Sequence, residues 1–346
     1  MPQGIIKYHI PKSLLKFVSI NFFYMKETKK KRCWACGSLE VIKWGKRNNK
    51  RRFKCKNCGI FFTSNNPQVS LSNRFVWFKR WVIHHQTLDY LSELSGYSKR
   101  NLQDVFNKYL NKIPTHIVNQ REHVHLIIDG TYFSNDICLV LYRDNDIKNT
   151  ILYRITNDEL TQEIIEDLRN LIFVGFQIES ITCDGHRSIL KSIKIVYKKS
   201  VIIQRCVVHI ERQCSIWLTK NPKSQAGQEL LKIVKQISQI STLEQKYRWL
   251  RDLYDWDLKH TAFIAERSLT DGRYTHVFLR KARRMLINAF SDMFHYIDNP
   301  QIPKSTNGLE SFFGHLKDNL SIHRGLSIKH RKAFIQWYIH FRNEAE

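Results

Sequence analysis

The chain has 346 residues, which is too long for one ordinary hydrophobic core and is typical of two or three domains. Its 56 lysines and arginines against 31 acidic residues give a net charge of +25, which favours nucleic acid as a partner over the alternative of a ribosomal or merely basic protein. The spacing of the eight cysteines excludes a secreted disulfide framework and suits a reducing cytosol, and no uncharged apolar run reaches the roughly 18 residues that a membrane span needs.

The first sixty residues concentrate positive charge, with sixteen lysines and arginines against Glu27 and Glu40. Residues 1–28 are predicted to be a poorly ordered extension. A secretory signal is the less favoured alternative, because basic residues and a proline interrupt the apolar stretch and no small-residue cleavage site follows it. Met25 is an alternative start of the protein, and the sequence leaves the choice open.

Two Cys-x2-Cys pairs, Cys33 with Cys36 and Cys55 with Cys58, are separated by eighteen residues. Two thiolates on one tight turn can share a tetrahedral zinc ion, and two such turns fill its four positions. Residues 29–66 are therefore predicted to form a zinc ribbon, with free dithiols as the alternative. The zinc would be structural, because four cysteine ligands leave no open position for water.

The segment between the cysteine pairs is strongly basic and is predicted to be a hairpin that contacts DNA phosphates. Its cations surround Trp44 and Phe53. The candidate DNA contacts are Lys46, Arg47, Arg51 and Arg52, with Lys50 and Lys54 beside them.

Residues 70–115 have a helical pattern that is interrupted by a glycine-containing turn, and they predict a helix-turn-helix DNA-binding domain. Ser98 is the expected N-cap of the second helix of the motif, so that Lys99 and Arg100 would begin the recognition helix. The alternative is a plain helical hairpin that links two domains.

Residues 120–205 alternate between β-rich and helical patterns and predict a mixed α/β sheet. Three strand-like runs, the first ending at Asp129, precede a helix and a further strand that ends at Asp184. Residues 206–300 have a helical pattern and are predicted to be an insertion, after which residues 301–346 would return to the sheet.

Three carboxylates are the candidate catalytic residues. Asp129 and Asp184 each end an apolar run, and Glu310 lies in a helix-like segment with Lys317 two turns later. Such carboxylates would hold a pair of divalent cations for phosphodiester chemistry, with Asp129 as the shared ligand, and without a cation they would raise one another's pKa. The alternative is that each is an ordinary exposed acid.

Other polar residues near these acids have less specific patterns. Lys317 and Arg324 would either contact phosphate or form solvated surface. Cys206 and His209 form a Cys-x2-His pair directly after the last short strand, which is half of a metal site. Because no second pair is evident, they are predicted to pack or hydrogen-bond beside the catalytic pocket.

The motifs together resemble those of bacterial insertion-sequence transposases of the Mutator-like DDE group. They are Asp129-Gly130, Asp184-Gly185, Cys206-x2-His209 and Thr306-Asn307-x2-Glu310 followed by Lys317. The resemblance runs from the cysteine pairs to the C-terminus and includes the segments 221–227 and 323–327. It implies a ribonuclease-H-like catalytic core over 120–205 and 301–346, with an all-helical insertion over 206–300.

The resemblance also implies two Mg²⁺ or Mn²⁺ ions bound by Asp129, Asp184 and Glu310, and it makes Cys206 and His209 the signature pair of the family. The implied substrates are terminal inverted repeats and target DNA. DNA would be nicked at the element end, and the freed 3′-OH would attack the target. At least a dimer on DNA is expected, because two DNA ends must be brought together, and the implied location is the nucleoid in the bacterial cytoplasm.

Two other functions stay open from the sequence. A nuclease or junction resolvase on the same fold would use the same metal ions without strand transfer. A DNA-binding regulator derived from a transposase would need the zinc ribbon and the helix-turn-helix but not the three acids.

Overall fold

The computed structural model describes residues 31–47, 50–63, 67–119, 121–133 and 137–345. The chain divides into two compact units, with the boundary between Leu71 and Ser72. The predictions for residues 1–28 and for a start at Met25 lie outside the described residues. Within the described ranges, no helix is both long and apolar enough to cross a membrane.

The first unit contains a three-stranded antiparallel sheet in the order β1-β2-β3. Its strands are β1 (Val41–Arg47), β2 (Lys50–Cys55) and β3 (Phe61–Thr63). The pairing of β1 with β2 is irregular between Lys43 and Lys46, where Gly45 has a φ of +64°. A left-handed backbone at this position costs a glycine little, so the bulge is built into the sequence.

The second unit contains a helical segment that comprises most of α1 (Pro67–Ile83), together with α2 (Leu88–Ser95) and α3 (Lys99–Leu110). Helix α2 ends at Gly96, which is left-handed with a φ of +68°. Ser98 caps α3, because its hydroxyl accepts a hydrogen bond from Asn101 N at 3.3 Å. The predicted N-cap is confirmed.

An aromatic cluster packs α1 and α3 against α12 (Ile328–Ala345), the C-terminal helix. Phe78 is fully buried at its centre. Its ring centroid lies 5.0 Å from that of Tyr109, 5.3 Å from that of Trp337 and 5.6 Å from that of Phe106. These edge and stacked contacts join the N-terminal helices of the unit to its last helix.

A five-stranded mixed sheet in the order β6-β5-β4-β7-β8 is the centre of the second unit. Its strands are β4 (His123–Phe133), β5 (Ile137–Asp144), β6 (Thr150–Thr156), β7 (Gln177–Cys183) and β8 (Ile202–Arg205). The first three pair antiparallel, and β7 is parallel to both β4 and β8. Helices α4 (Thr161–Val174) and α5 (Arg187–Tyr197) make the crossovers that parallel strands require, and the predicted mixed α/β sheet is confirmed.

The prediction that Asp129 ends its strand is wrong. Strand β4 continues to Phe133. Parallel pairing with β7 stops at Ile128, but antiparallel pairing with β5 runs from Leu126 to Phe133 and so continues beyond Asp129. The long hairpin with β5 therefore carries β4 beyond the point where its parallel neighbour ends.

Between β8 and the next helix of the sheet region, the described chain is almost entirely helical. The helices are α6 (Val207–Leu218), α7 (Gln225–Val234), α8 (Leu243–Ala265), α9 (Val277–Ala289) and the short α10 (His295–Asp298). They form a hydrophobic core of their own, in which Trp249 is 1% exposed. The Trp249 indole donates to Ile233 O at 2.9 Å, so its buried polar atom is satisfied. Helix α11 (Asn307–Ser321) follows.

We expect Phe78→Ala to lower the free energy of unfolding by about 3–5 kcal/mol, because it opens a cavity in the aromatic cluster. Urea denaturation followed by circular dichroism measures the change. The matched control is Phe173→Ala, since Phe173 is 90% exposed and its loss should change stability by less than about 0.5 kcal/mol. Equal effects of the two substitutions would contradict the central role of the cluster.

Candidate functional site

The four cysteines of the first unit form a cluster whose ligand atoms all lie within 4.8 Å of one another. The sulfurs of Cys33 and Cys58 are 3.6 Å apart, as are those of Cys36 and Cys55. A tetrahedron with Zn–S bonds of about 2.3 Å places its sulfurs about 3.8 Å apart. The cluster can therefore hold one zinc ion in the arrangement that the Cys-x2-Cys spacing predicts.

Asp129 is a buried carboxylate in β4, the central strand of the large sheet, with only 6% of its surface exposed. One carboxylate oxygen accepts a hydrogen bond from Gly130 N at 2.9 Å. Burial and then the negative charge of Asp184 raise the pKa of Asp129 to about 7, although the positive charge of His209 opposes them. Burial and the neighbouring charge of Asp184 therefore disfavour the ionised form of Asp129.

Asp184 directly follows β7 and is half-buried. Its Oδ1 accepts a hydrogen bond from His186 N at 2.7 Å. The guanidinium of Arg205 covers the next residue, since a Cβ on Gly185 would lie 2.0 Å from Arg205 Cζ. Gly185 also has a φ of +89°, so the backbone favours glycine after this aspartate, whereas the Arg205 guanidinium would have to move to admit a side chain.

Glu159 is a further carboxylate near Asp184, and it was not among the residues predicted from the sequence. Its carboxylate lies against Gly130, where a Cβ would be 2.0 Å from Glu159 Oε1, and it forms an ion pair with His186 Nδ1 at 3.0 Å. Burial raises the pKa of Glu159, and the charge of Asp184 adds to this. The loop after β6 carries no motif that would have identified it.

Glu310 lies in the first turn of α11, and two cations from α6 hold its carboxylate. Arg212 makes a bidentate contact with distances of 2.7 and 3.2 Å, and His209 Nε2 is 3.1 Å from Glu310 Oε1. Hydrogen bonding to Arg212 is the main reason that the pKa of Glu310 is lowered. Arg212 was also missed, although it follows His209 by three residues and shares its helix face.

Cys206 and His209 connect the beginning of α6 to the beginning of α11. The Cys206 sulfur accepts a hydrogen bond from Thr306 N at 3.3 Å, and His209 Nδ1 is 3.3 Å from Thr306 Oγ1. Hydrogen bonding to Cys206 raises the pKa of His209 to about 9. Burial tends to raise the pKa of Cys206, but its bonds with His209 and Thr306 outweigh burial and leave it lowered.

The acidic residues have the right chemistry for magnesium, which prefers carboxylate oxygens. Among the described residues, however, the group of three or more histidine, cysteine, aspartate or glutamate side chains whose ligand atoms all lie within 4.8 Å of one another is the four cysteines. Asp129, Asp184 and Glu310 do not meet this criterion together, and Glu310 is held by Arg212 and His209.

The predicted DNA contacts lie on exposed positions in the two units, except for Arg52, which is half-buried. Lys46 and Arg47 are opposite Arg51 and Lys50 in the β1–β2 hairpin, with Arg52 next to them. In the second unit, Lys99 forms an ion pair with Asp89 and Arg100 is exposed, both in the first turn of α3. Lys317 Nζ lies 5.6 Å from the ring centroid of Phe133 at the end of β4, and Arg324 is exposed just after α11.

We expect the purified chain to contain one zinc ion and Cys55→Ser to lose it, because three thiolates leave the tetrahedral site incomplete. Elemental analysis by mass spectrometry measures the metal content. Cys138→Ala is the matched control, since Cys138 is buried in the large sheet, far from the cluster in sequence, and its loss should leave the zinc in place. Zinc retained in Cys55→Ser would contradict the assignment.

We expect Asp129→Asn to stabilise the protein in magnesium-free buffer at pH 8 by roughly 2–4 kcal/mol. The pKa of Asp129 is raised on folding from 3.8 to about 7, so its ionised form costs stability fully above pH 7 and not at all well below pH 4. The stabilisation should shrink as the pH falls from 7 towards 4. Urea titrations at several pH values test this, with Glu244→Gln, at a side chain that is 82% exposed, as a control that should show no such trend.

Similarity to known proteins is relevant to this group of residues. No curated protein matches the chain. The family model for transposases of the Mutator family matches residues 147–322, a little over half of the 346 residues. The matched range begins after Asp129 and contains Asp184, Glu310 and the Cys206 and His209 pair. The resemblance seen in the motifs is confirmed, and the chain belongs to the Mutator family of transposases.

Proposed function

We propose that the protein is the transposase of an insertion sequence, which binds the terminal inverted repeats and catalyses metal-dependent nicking of DNA and strand transfer by 3′-OH attack. The observation that carries this proposal is the buried Asp129, whose charge interacts with those of Asp184 and His209, while His209 also contacts Glu310 at 3.1 Å. Family membership supports a transposase, and a net charge of +25 suits a DNA substrate.

The proposed catalytic core is ribonuclease-H-like and comprises residues 120–205 and 301–346, with the helical insertion over 206–300. The strand order and directions of the mixed sheet support it, since three antiparallel strands are followed by two parallel crossovers. The zinc ribbon over 29–66 and the helix-turn-helix over 70–115 would precede this core and bind DNA. The helix–Gly96–helix geometry of α2 and α3 supports the second of these assignments.

Asp129, Asp184 and Glu310 would hold two Mg²⁺ or Mn²⁺ ions. When bound, such ions activate the attacking oxygen and stabilise the leaving 3′ oxygen of an in-line displacement. Asp129 would supply the shared ligand, because it is the most buried of the three. Arg212 and His209 orient the Glu310 carboxylate and keep it ionised. Glu310 would therefore exchange these partners to join the site.

The DNA contacts are proposed from charge and exposure. Phosphates would be bound by Lys46, Arg47, Arg51, Arg52, Lys99, Arg100, Lys317 and Arg324. Lys317 is the best supported near the acids, since it lies beside the end of the strand that carries Asp129. Joining two element ends to one target requires at least two copies of the chain on DNA, and in a bacterial cell the reaction would take place at the nucleoid.

The test is cleavage and strand transfer on a labelled DNA end that carries the terminal repeat found beside the gene, with Mg²⁺ or Mn²⁺. We expect Asp129→Asn to lower both reactions more than about 100-fold, the loss that a residue next to a metal ligand can already cause. Binding of the same DNA should stay unchanged. Glu244→Gln is the matched control and should retain full activity, because this carboxylate is exposed on α8.

Three other outcomes would contradict part of this proposal. Cleavage without strand transfer would replace the transposase with a nuclease or resolvase. Tight DNA binding without cleavage by the wild type would favour a DNA-binding regulator. Equal activity of wild type and Asp129→Asn would overturn the assignment of the acids.

A further inference from the structure

One face of the small sheet in the first unit carries two exposed aromatic rings. Trp44 is 46% exposed and Phe61 is 45% exposed. Their ring centroids are 5.7 Å apart, with an interplanar angle of 62°. We call this face, which also carries Arg52 and Lys54, the aromatic face.

The aromatic face is not the core of this unit. Side chains alternate along a strand, and Phe53 and Cys55 of β2 are buried on the opposite face. Phe53 stacks there on Phe62, with a centroid distance of 5.8 Å. The opposite face therefore contains both the apolar packing and the cysteine cluster, and neither accounts for Trp44 or Phe61.

Both exposed rings have a cation close to them. Lys54 is directly opposite Phe61 in the sheet, and its Nζ lies 5.3 Å from the Phe61 centroid and 4.9 Å from the Trp44 centroid. The guanidinium of Arg52 lies 5.2 Å from the centroid of Phe61. Residues 31–63 contain ten lysines and arginines against one acid, Glu40, so the face favours a polyanion that also offers flat apolar surfaces.

Single-stranded DNA has this combination, and a duplex does not. In a duplex the faces of the bases are stacked on one another, whereas the bases of a single strand can stack on aromatic side chains. We propose that Trp44 and Phe61 stack on unpaired bases of a DNA strand while Arg52 and Lys54 contact its phosphates. The inference rests on the proposed function in taking DNA as the substrate, and it adds a strand-separated state of that DNA.

The test is the affinity of the full-length protein for a labelled single strand and for the duplex of the same sequence, by fluorescence anisotropy in magnesium-free buffer. We expect Trp44→Leu and Phe61→Leu each to weaken single-strand binding about tenfold, because each removes a stacking platform. Duplex binding should change less than about twofold, since duplex affinity depends mainly on the phosphates. Lys54→Gln should weaken both.

Two controls keep this result specific. Tyr254→Leu removes an aromatic ring that is 64% exposed on α8 and should leave both affinities unchanged. Zinc content reports whether the first unit of each variant has folded. If a variant loses zinc, photocrosslinking of wild type to a single strand that contains 5-bromouracil gives the answer instead, with Trp44 or Phe61 expected in the crosslinked peptide.

Loss of duplex and single-strand binding to the same degree in the two leucine variants would overturn the inference, as would unchanged single-strand binding or crosslinks that exclude both rings. Wild type that binds neither form of DNA would overturn this inference and the proposed function together. The expected loss of single-strand binding in a protein that fails to nick or join DNA would support this inference and remove only the proposed function.

Discussion

The burial of Asp129 is the constraint on which the arrangement of the charged residues around the large sheet depends. A carboxylate inside a sheet costs free energy unless its charge is compensated, and Asp184 and Glu159 add negative charge instead of removing it. The positive charge that compensates these carboxylates comes from helix α6, which carries both His209 and Arg212. A large apolar sheet can tolerate this cluster, because Leu126, Ile128 and their neighbours bury enough surface to offset a few unfavourable groups.

Hydrogen bonds between the two ends of the long helical segment explain how it can separate β8 from α11 without displacing Glu310. The segment begins after β8 and ends before α11. Two hydrogen bonds join its ends, one from Val207 N to Lys304 O at 3.1 Å and one from Thr306 N to the Cys206 sulfur at 3.3 Å. Closing a loop of this length costs only slightly more entropy than closing a shorter one. The Cys206 and His209 pair thus fixes the first turn of α11, and with it the position of Glu310, independently of how the intervening helices are built.

The parts of the structure that could be predicted from the sequence are those that local spacing determines. The cysteine cluster follows from two short motifs, and the Ser98 cap follows from one residue and the turn before it. The true end of β4 could not be predicted, because it depends on pairing with β5 beyond Asp129. Glu159 was missed for a similar reason: only the fold brings its carboxylate against Gly130. Arg212 could have been inferred from its spacing to His209, but its bidentate contact with Glu310 depends on how α6 meets α11.

The first unit is stabilised differently from the second, and this difference explains why the first unit exposes two aromatic side chains. A segment as short as residues 31–63 buries too little apolar surface to fold alone, and domains of this size usually depend on a metal or disulfides. A cysteine cluster that can hold zinc replaces most of a hydrophobic core, so that Phe53 and Phe62 suffice for packing. Trp44 and Phe61 are then not needed inside. Exposed aromatic side chains that lie among cations do not contribute to the packing of a small fold. Such side chains are typical of a binding surface.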